Sequence, residues 1–145
     1  MIEVGRIPNA LKICGITYWE YRELLAFCHS YDDKKRAARD LLGVGSPDMS
    51  GMPKGNAVGS PTENTAIKRL RYLEDIEMIE KAARETGEGR WYKPLIQNCC
   101  RGIPWKHLNP LIMPTSDRNS FFDARGEFFV RLWVLKMNTL RDRIP

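Results

Sequence analysis

Residues 113–137 read MPTSDRNSFFDARGEFFVRLWVLKM, and this stretch decides the fold. A proline and the pair Thr115 and Ser116 precede a run whose apolar residues recur at helical spacing. At about 100° per residue, one face holds Phe121, Phe122, Arg125, Phe128, Phe129, Leu132, Trp133 and Lys136. The opposite face is predicted to hold Ser120, Asp123, Ala124, Glu127, Val130 and Arg131. The pattern predicts a long helix that buries its aromatic face and presents short polar side chains to a partner.

A short helix and a tight turn are predicted just before this long helix. A third helix is predicted over Trp91–Arg101, Pro104 starts a short helix over Trp105–Asn109, and two prolines bracket the apolar turn that follows. This order is the outline of a DNA-binding helix-turn-helix, whose second helix lies in the major groove. A helical bundle with a short corner helix would show the same pattern, so both interpretations stay open.

The N-terminal half opens with an arm and a capped helix. Met1–Ile16 is interrupted by glycine and proline, which predicts an irregular segment. Thr17–Glu20 reads as a capping box that starts a helix at Tyr18, and the apolar stripe then continues to Gly43. The stretch 43–61 is rich in glycine, proline and serine, so it is predicted to be a flexible loop.

A second capping box, Ser60–Glu63, predicts the start of another long helix that runs to Thr86. Two long helices joined by one loop are expected to form an antiparallel pair. The predicted fold is all-α, with an N-terminal arm and helical hairpin over residues 1–86 and a helix-turn-helix region over residues 87–145.

Charge is distributed unevenly along the 145 residues. Residues 1–86 hold 13 basic and 13 acidic residues, whereas residues 87–145 hold 10 basic and 5 acidic ones and carry the whole net charge of +5. A basic segment favours a polyanionic partner, because lysine and arginine release the counterions of phosphates. A domain that is merely basic remains the alternative. No apolar run approaches the roughly 20 residues of a membrane span, which predicts a cytoplasmic protein without a membrane partner.

Cysteines and histidines show no metal-binding or catalytic spacing. Cys14 and Cys28 are far apart, and the adjacent Cys99 and Cys100 are predicted to point to different faces of a helix. The two histidines are also distant from each other, and no nucleophile, base or carboxylate pair is apparent in the sequence. We therefore predict no metal, no cofactor and no enzymatic activity.

Several segments resemble a known family in order and spacing. They are YKPLI at 92–96, CRGIPWKHL at 100–108, MPTS at 113–116 and FFDARGEFF at 121–129, with YRELLAFC at 21–28. They resemble the phage-encoded late transcriptional regulators of the RinA and ArpU type from Gram-positive bacteria, whose C-terminus is similar to the DNA-reading region 4 of sigma factors. The resemblance implies a sequence-specific regulator of phage or prophage genes, above all late genes, in the bacterial cytoplasm.

This interpretation divides the expected contacts to double-stranded DNA into two groups. Base edges would be met by Arg118, Asn119, Ser120 and Asp123, and phosphates would be held by Arg101, Lys106, Thr115, Ser116, Arg125 and Arg131. Arg125 projects near the aromatic face, so a structural role is equally open for it. The family carries consecutive basic residues where this chain has residues 124–127, which implies weaker DNA affinity here.

The predicted partners beyond DNA are a second copy of the chain and host RNA polymerase, both through the long helical pair. Two other functions fit the same pattern. One is a phage DNA-packaging recognition subunit, similar to a small terminase, which would assemble as a ring of many subunits. The other is a helical protein-interaction factor that does not bind DNA. Stoichiometry and salt-dependent DNA binding distinguish the three.

Overall fold

The computed structural model describes residues 7–44 and 60–143. Six helices follow in order: α1 (Asn9–Ile13), α2 (Tyr18–His29), α3 (Tyr31–Val44), α4 (Ser60–Glu85), α5 (Tyr92–Leu95) and α6 (Arg118–Arg143). No strand is present in these two ranges, so the predicted all-α class is confirmed. No helix within them is long and apolar enough to cross a membrane.

Helix α1 lies in the arm that was predicted to be irregular, so that prediction is wrong for its second half. The helix begins directly after Pro8, and its Leu11 is fully buried. A Cβ on Gly126 of α6 would lie 3.3 Å from the Cβ of Ala10 and 3.5 Å from that of Pro8. The missing side chain of Gly126 therefore lets α1 pack closely against α6. Helix α1 needs this packing because so short a helix is unstable without tertiary contacts.

The capping box at the start of α2 is confirmed. Thr17 Oγ1 accepts a hydrogen bond from the Glu20 backbone N–H at 3.2 Å, and the Thr17 N–H donates to Glu20 Oε1 at 2.8 Å. The single helix predicted from Tyr18 to Gly43 is instead two, because α2 ends at His29 and α3 begins at Tyr31. The Ser30 hydroxyl donates to the Phe27 carbonyl, a local side-chain bond that competes with the helical pattern.

The antiparallel pair forms between α3 and α4. Three contacts along the pair show its direction: Tyr31 donates to Glu80, Lys34 contacts Asp75 at 2.9 Å, and the Ala38 carbonyl accepts from the Arg69 side chain at 3.0 Å. Residue numbers therefore rise along α3 as they fall along α4, so the two helices are antiparallel. Helix α4 covers the predicted range. The Ser60 side chain of the second capping box lies outside the described residues, as does most of the predicted loop 43–61.

A left-handed turn follows α4. Gly87, Glu88 and Gly89 have φ values of 55°, 60° and 83° in the turn Thr86–Gly89, where the predicted glycine stop stands. A Cβ on Gly87 would lie 2.8 Å from Cδ1 of the Trp91 ring. Glycine is therefore required there for both its backbone conformation and its lack of a side chain.

We expect Gly87→Ala to lower the free energy of unfolding by about 3 kcal/mol, through left-handed strain plus the clash with Trp91. Gly15→Ala is the matched control, since Gly15 also has a left-handed φ of 76° but has nothing within 4 Å of its added Cβ. It should cost only about 1 kcal/mol. Urea unfolding followed by circular dichroism measures both, and equal losses would contradict the contact with Trp91.

The segment between α4 and α6 departs from the prediction. The helix predicted over Trp91–Arg101 is a short α5 followed by a π turn, Ile96–Cys100. Cys99 and Cys100, which were predicted to point to different faces of a helix, are both buried. The short helix predicted over Trp105–Asn109 is a single 3-10 turn, Trp105–His107, and a second such turn spans Pro110–Ile112. The segment predicted to be the first helix of a helix-turn-helix is thus a single short turn.

Helix α6 buries its aromatic face in the core. Phe121, Phe128, Phe129 and Leu132 have no exposed surface. The core also takes buried side chains from the other helices and from the π turn, among them Leu11, Leu24, Ile79, Leu95 and Cys99. Ala124 was predicted on the outer face of α6, but it is only 7% exposed. The buried surface of α6 is therefore wider than its aromatic face. The first turn of α6 is left at the surface.

Candidate nucleic-acid interface

The start of α6 is fixed by Asp117, a capping residue that the sequence interpretation missed. Its Oδ2 accepts from the Ser120 N–H at 3.1 Å and from the Ser120 hydroxyl at 2.7 Å. These bonds, the side-chain one first, hold the pKa of the Asp117 carboxyl below its usual range. Thr115 Oγ1 in turn accepts from the Asp117 N–H at 3.2 Å. Ser120, predicted to meet bases, is thus engaged in capping the helix.

Two of the predicted base contacts, Arg118 and Asn119, are exposed on the first turn of α6. The Arg118 guanidinium lies 4.6 Å from the centre of the Phe122 ring, which orients it along the helix surface. Asp123 is also exposed, one turn further on. These side chains have the donors and acceptors that read base edges: arginine for guanine, asparagine for adenine and aspartate for cytosine.

The same side chains line an open groove with Lys106, which was predicted to hold a phosphate. The groove has a volume of about 1320 Å³. Small-molecule pockets usually measure roughly 300 to 1,000 Å³, so an extended ligand suits it better. Residues of α1, the turn at Pro104 and Trp105, and Gly126 of α6 also line the groove. We call this site the α1–α6 groove.

Arg125 also lines the groove and is held by neighbours. Its Nε donates to Asn98 Oδ1 and its Nη1 donates to the Tyr21 hydroxyl, both at 2.8 Å. The guanidinium also lies 4.9 Å from the centre of the Phe129 ring. Asn98 completes the network by donating to the Ile103 carbonyl at 2.9 Å. Arg125 therefore connects α2, the π turn and α6. This is the structural role that the sequence left open for Arg125 as the alternative to a phosphate contact.

Arg101 and Arg131, two further phosphate candidates, lie in ion pairs outside the lining of the groove. Arg101 contacts Asp32 through two nitrogens at 3.0 and 3.2 Å, and this pairing lowers the pKa of the Asp32 carboxyl. Arg131 contacts Glu127 at 2.8 Å and approaches Glu85 at 4.0 Å. A phosphate would have to compete with these carboxylates for either side chain.

The remaining phosphate candidates, Thr115 and Ser116, are exposed just before α6 begins. Their hydroxyls stand near the first N–H groups of the helix in sequence, where an anion is favoured by the helix dipole. Of the ten predicted contacts, the structure brings five together in the lining of the groove: Arg118, Asn119, Asp123, Arg125 and Lys106.

Trp105 is a groove residue that the sequence interpretation treated only as part of a short helix. Its indole Nε1 is buried and has no acceptor among the described residues. Phe122 and Tyr21 add two more aromatic rings to the lining. The sequence could have identified Trp105 as a site residue from its neighbour Lys106, because an aromatic side chain next to a cation is common where bases and phosphates are bound together.

The buried thiols of Cys28 and Cys99 are unsuited to chemistry at this site. Burial raises the pKa of Cys99 to about 12 and raises that of Cys28 well above its usual value, so both stay protonated. Within residues 7–44 and 60–143, no three histidine, cysteine or carboxylate side chains are placed to hold a metal ion.

Comparisons with protein-family models, with curated proteins and with solved structures gave no match. The residues of the α1–α6 groove are therefore the basis on which a function is assigned.

Proposed function

We propose that this chain is a sequence-specific DNA-binding transcriptional regulator of phage or prophage genes, with late genes as its targets. It acts as a homodimer in the bacterial cytoplasm, with host RNA polymerase as a further partner. The observation that supports this most is the exposed first turn of α6, where Arg118 and Asn119 stand beside Lys106 at one groove. Side chains that can hydrogen-bond to base edges thus lie next to a cation that can bind a phosphate.

In this proposal the start of α6 enters the major groove of DNA. Arg118 and Asn119 read base edges, Asp123 accepts from a cytosine amino group, and Lys106 holds the backbone. The basic segment 87–145 supplies the general attraction, since it carries the whole net charge of +5. Because Arg101 and Arg131 are paired with carboxylates, few cations remain for phosphates near the groove. Affinity is then modest and depends strongly on salt.

We expect Arg118→Ala with Asn119→Ala to weaken binding to the target duplex by about 2 to 6 kcal/mol, since each base contact contributes about 1 to 3 kcal/mol. Binding to unrelated duplexes should change far less. Fluorescence anisotropy at two salt concentrations, on sites first selected from the phage genome, measures both. Lys68→Ala on α4 is the control, because this exposed lysine is outside the lining of the groove.

Lys106→Ala should instead weaken all duplexes alike and reduce the salt slope by about one. Unchanged target binding in the Arg118 and Asn119 double variant would refute this reading face. Absence of duplex binding by the intact chain at low salt would refute the regulator and leave the protein-interaction factor as the better explanation.

A further inference from the structure

The lining of the α1–α6 groove carries an excess of positive charge. Its charged residues are one carboxylate, Asp123, and three cations, Lys106, Arg118 and Arg125. Within residues 7–44 and 60–143, none of these three cations lies in an ion pair. Arg125 is half-buried, yet both of its hydrogen-bond partners are neutral. Because charges withdrawn from water are usually paired, the groove favours an anionic ligand.

Aromatic carbon lines the same groove. Trp105 is half-buried, whereas its indole Nε1 is fully buried. Any surface that this side chain adds to the groove is therefore carbon, because the indole has no other polar atom. Phe122 is also half-buried, and the Arg118 guanidinium lies over its ring. Aromatic rings and guanidinium planes are the surfaces on which the flat faces of nucleic-acid bases stack.

The shape of the groove suits one strand of nucleic acid better than two. A duplex keeps its bases stacked and paired inside a stiff rod, so it meets the rim of a groove before it reaches the lining. Unpaired bases can be splayed out into a concave site, where their faces and edges become accessible. The volume of about 1320 Å³ also exceeds that of most small-molecule pockets, so it can take a segment of a strand.

We propose that the α1–α6 groove binds an unpaired nucleotide within a single-stranded stretch of nucleic acid. The base stacks on Trp105 and Lys106 contacts the phosphate. Asn119 and Asp123 hydrogen-bond to the base edge that pairing would otherwise cover. The proposal rests on the proposed function for its choice of nucleic acid as the ligand, and it extends that function, because a regulator that acts with RNA polymerase works where the strands of DNA separate.

Fluorescence anisotropy of the full chain with a labelled single strand of about ten nucleotides tests the proposal. At low salt, binding should be saturable. Trp105→Leu keeps a large apolar side chain but lacks a π face, so it should raise the Kd roughly tenfold. Trp105→Phe keeps a ring and should stay within about threefold. Trp19→Leu is the matched control and should leave the Kd unchanged, because Trp19 is 69% exposed and outside the lining.

Lys106→Ala tests the phosphate contact independently of the packing of Trp105, because Lys106 is exposed. It should reduce the salt slope of single-strand binding by about 0.7, the value for one phosphate of a single strand. Circular dichroism identifies any variant that has lost helix, and Lys106→Ala decides the result if Trp105→Leu has done so. DNA and RNA strands of the same base sequence are both used. Binding of either supports the site, and a preference identifies the source of the strand.

Two results would show that the aromatic ring does not stack on a base: equal losses in Trp105→Leu and Trp105→Phe, or equal losses in Trp105→Leu and Trp19→Leu. An oligoglutamate peptide that binds as tightly as the strand would show that charge alone is recognised. Each of these overturns the proposal, as does absence of single-strand binding at low salt.

Binding of the target duplex is measured in parallel, so the two proposals can fail separately. If the duplex is bound and single strands are not, the groove proposal fails and the regulator stands. If single strands are bound and no duplex is, the regulator fails and the groove proposal stands.

Discussion

Replacing Phe129 by alanine is expected to lower the free energy of unfolding by about 4 kcal/mol, the cost of deleting a large aromatic ring from a closed core. Phe129 has no exposed surface, and its ring meets that of Tyr21 edge to face, with 5.3 Å between centres. Arg125 lies on the same ring, so the substitution also removes a cation–π contact. Urea unfolding followed by far-ultraviolet circular dichroism gives the change directly.

Leu111→Ala is the control for this loss. Leu111 is 91% exposed, so its truncation should change stability by less than about 0.5 kcal/mol. If Phe129→Ala were as mild as Leu111→Ala, the aromatic face of α6 would not form the centre of the core.

The second large effect is expected at Arg125, where Arg125→Lys should cost about 3 kcal/mol of stability. A lysine ammonium cannot reproduce the two separate donations to Asn98 and Tyr21, since these use different nitrogens of one planar group. It would leave partly buried acceptors without donors and a cation without its former partners. The same unfolding experiment measures the loss, with Arg131→Lys as the matched control on the exposed side of α6.

DNA binding by the Arg125→Lys variant separates the two roles left open by the sequence. A structural role predicts lower stability with an unchanged affinity for DNA at temperatures where the variant is folded. A phosphate-binding role predicts the reverse: little change in stability and a weaker complex with the same salt slope, because lysine keeps the charge but lacks the planar fork of arginine. The second outcome would contradict the network described here.

The parts of the fold that the sequence predicted correctly depend on local signals. The Thr17–Glu20 box marks the start of α2 because its two hydrogen bonds join residues three apart. The bounds of α4 follow from proline near its start and glycine after its end. The aromatic face of α6 follows from helical periodicity, because a run with two pairs of phenylalanines must bury them.

The errors arose where tertiary contacts decide the local structure. Helix α1 is too short to form alone, and the burial of Leu11 and the contact with Gly126 stabilise it. The break at Ser30 and the π turn at Ile96–Cys100 change the direction and phase of helices, which a fixed 3.6-residue period cannot show. Ala124 was misplaced for a related reason, since the covered surface of α6 is wider than its aromatic stripe.

In the candidate site too, local signals could be predicted from the sequence, whereas features that depend on tertiary contacts could not. Arg118 and Asn119 could be placed on an outer helix surface by periodicity, and the structure has them there. The groove itself could not be predicted, because α1 and the turn at Trp105 come from distant parts of the chain. The Tyr21–Arg125 hydrogen bond, for example, joins residues 104 positions apart. Whether these residues read DNA stays a prediction.

Because three of the four cysteines are buried, the rates of thiol modification can report on opening of the core. Cys14 is exposed, next to the α1 residues that line the groove, while Cys28, Cys99 and Cys100 lie in the core. A thiol reagent should therefore modify Cys14 rapidly in the folded chain and the other three only when the core opens. The slow phase reports how often α2 separates from the π turn, and a label on Cys14 reports occupancy of the groove, without any engineered residue.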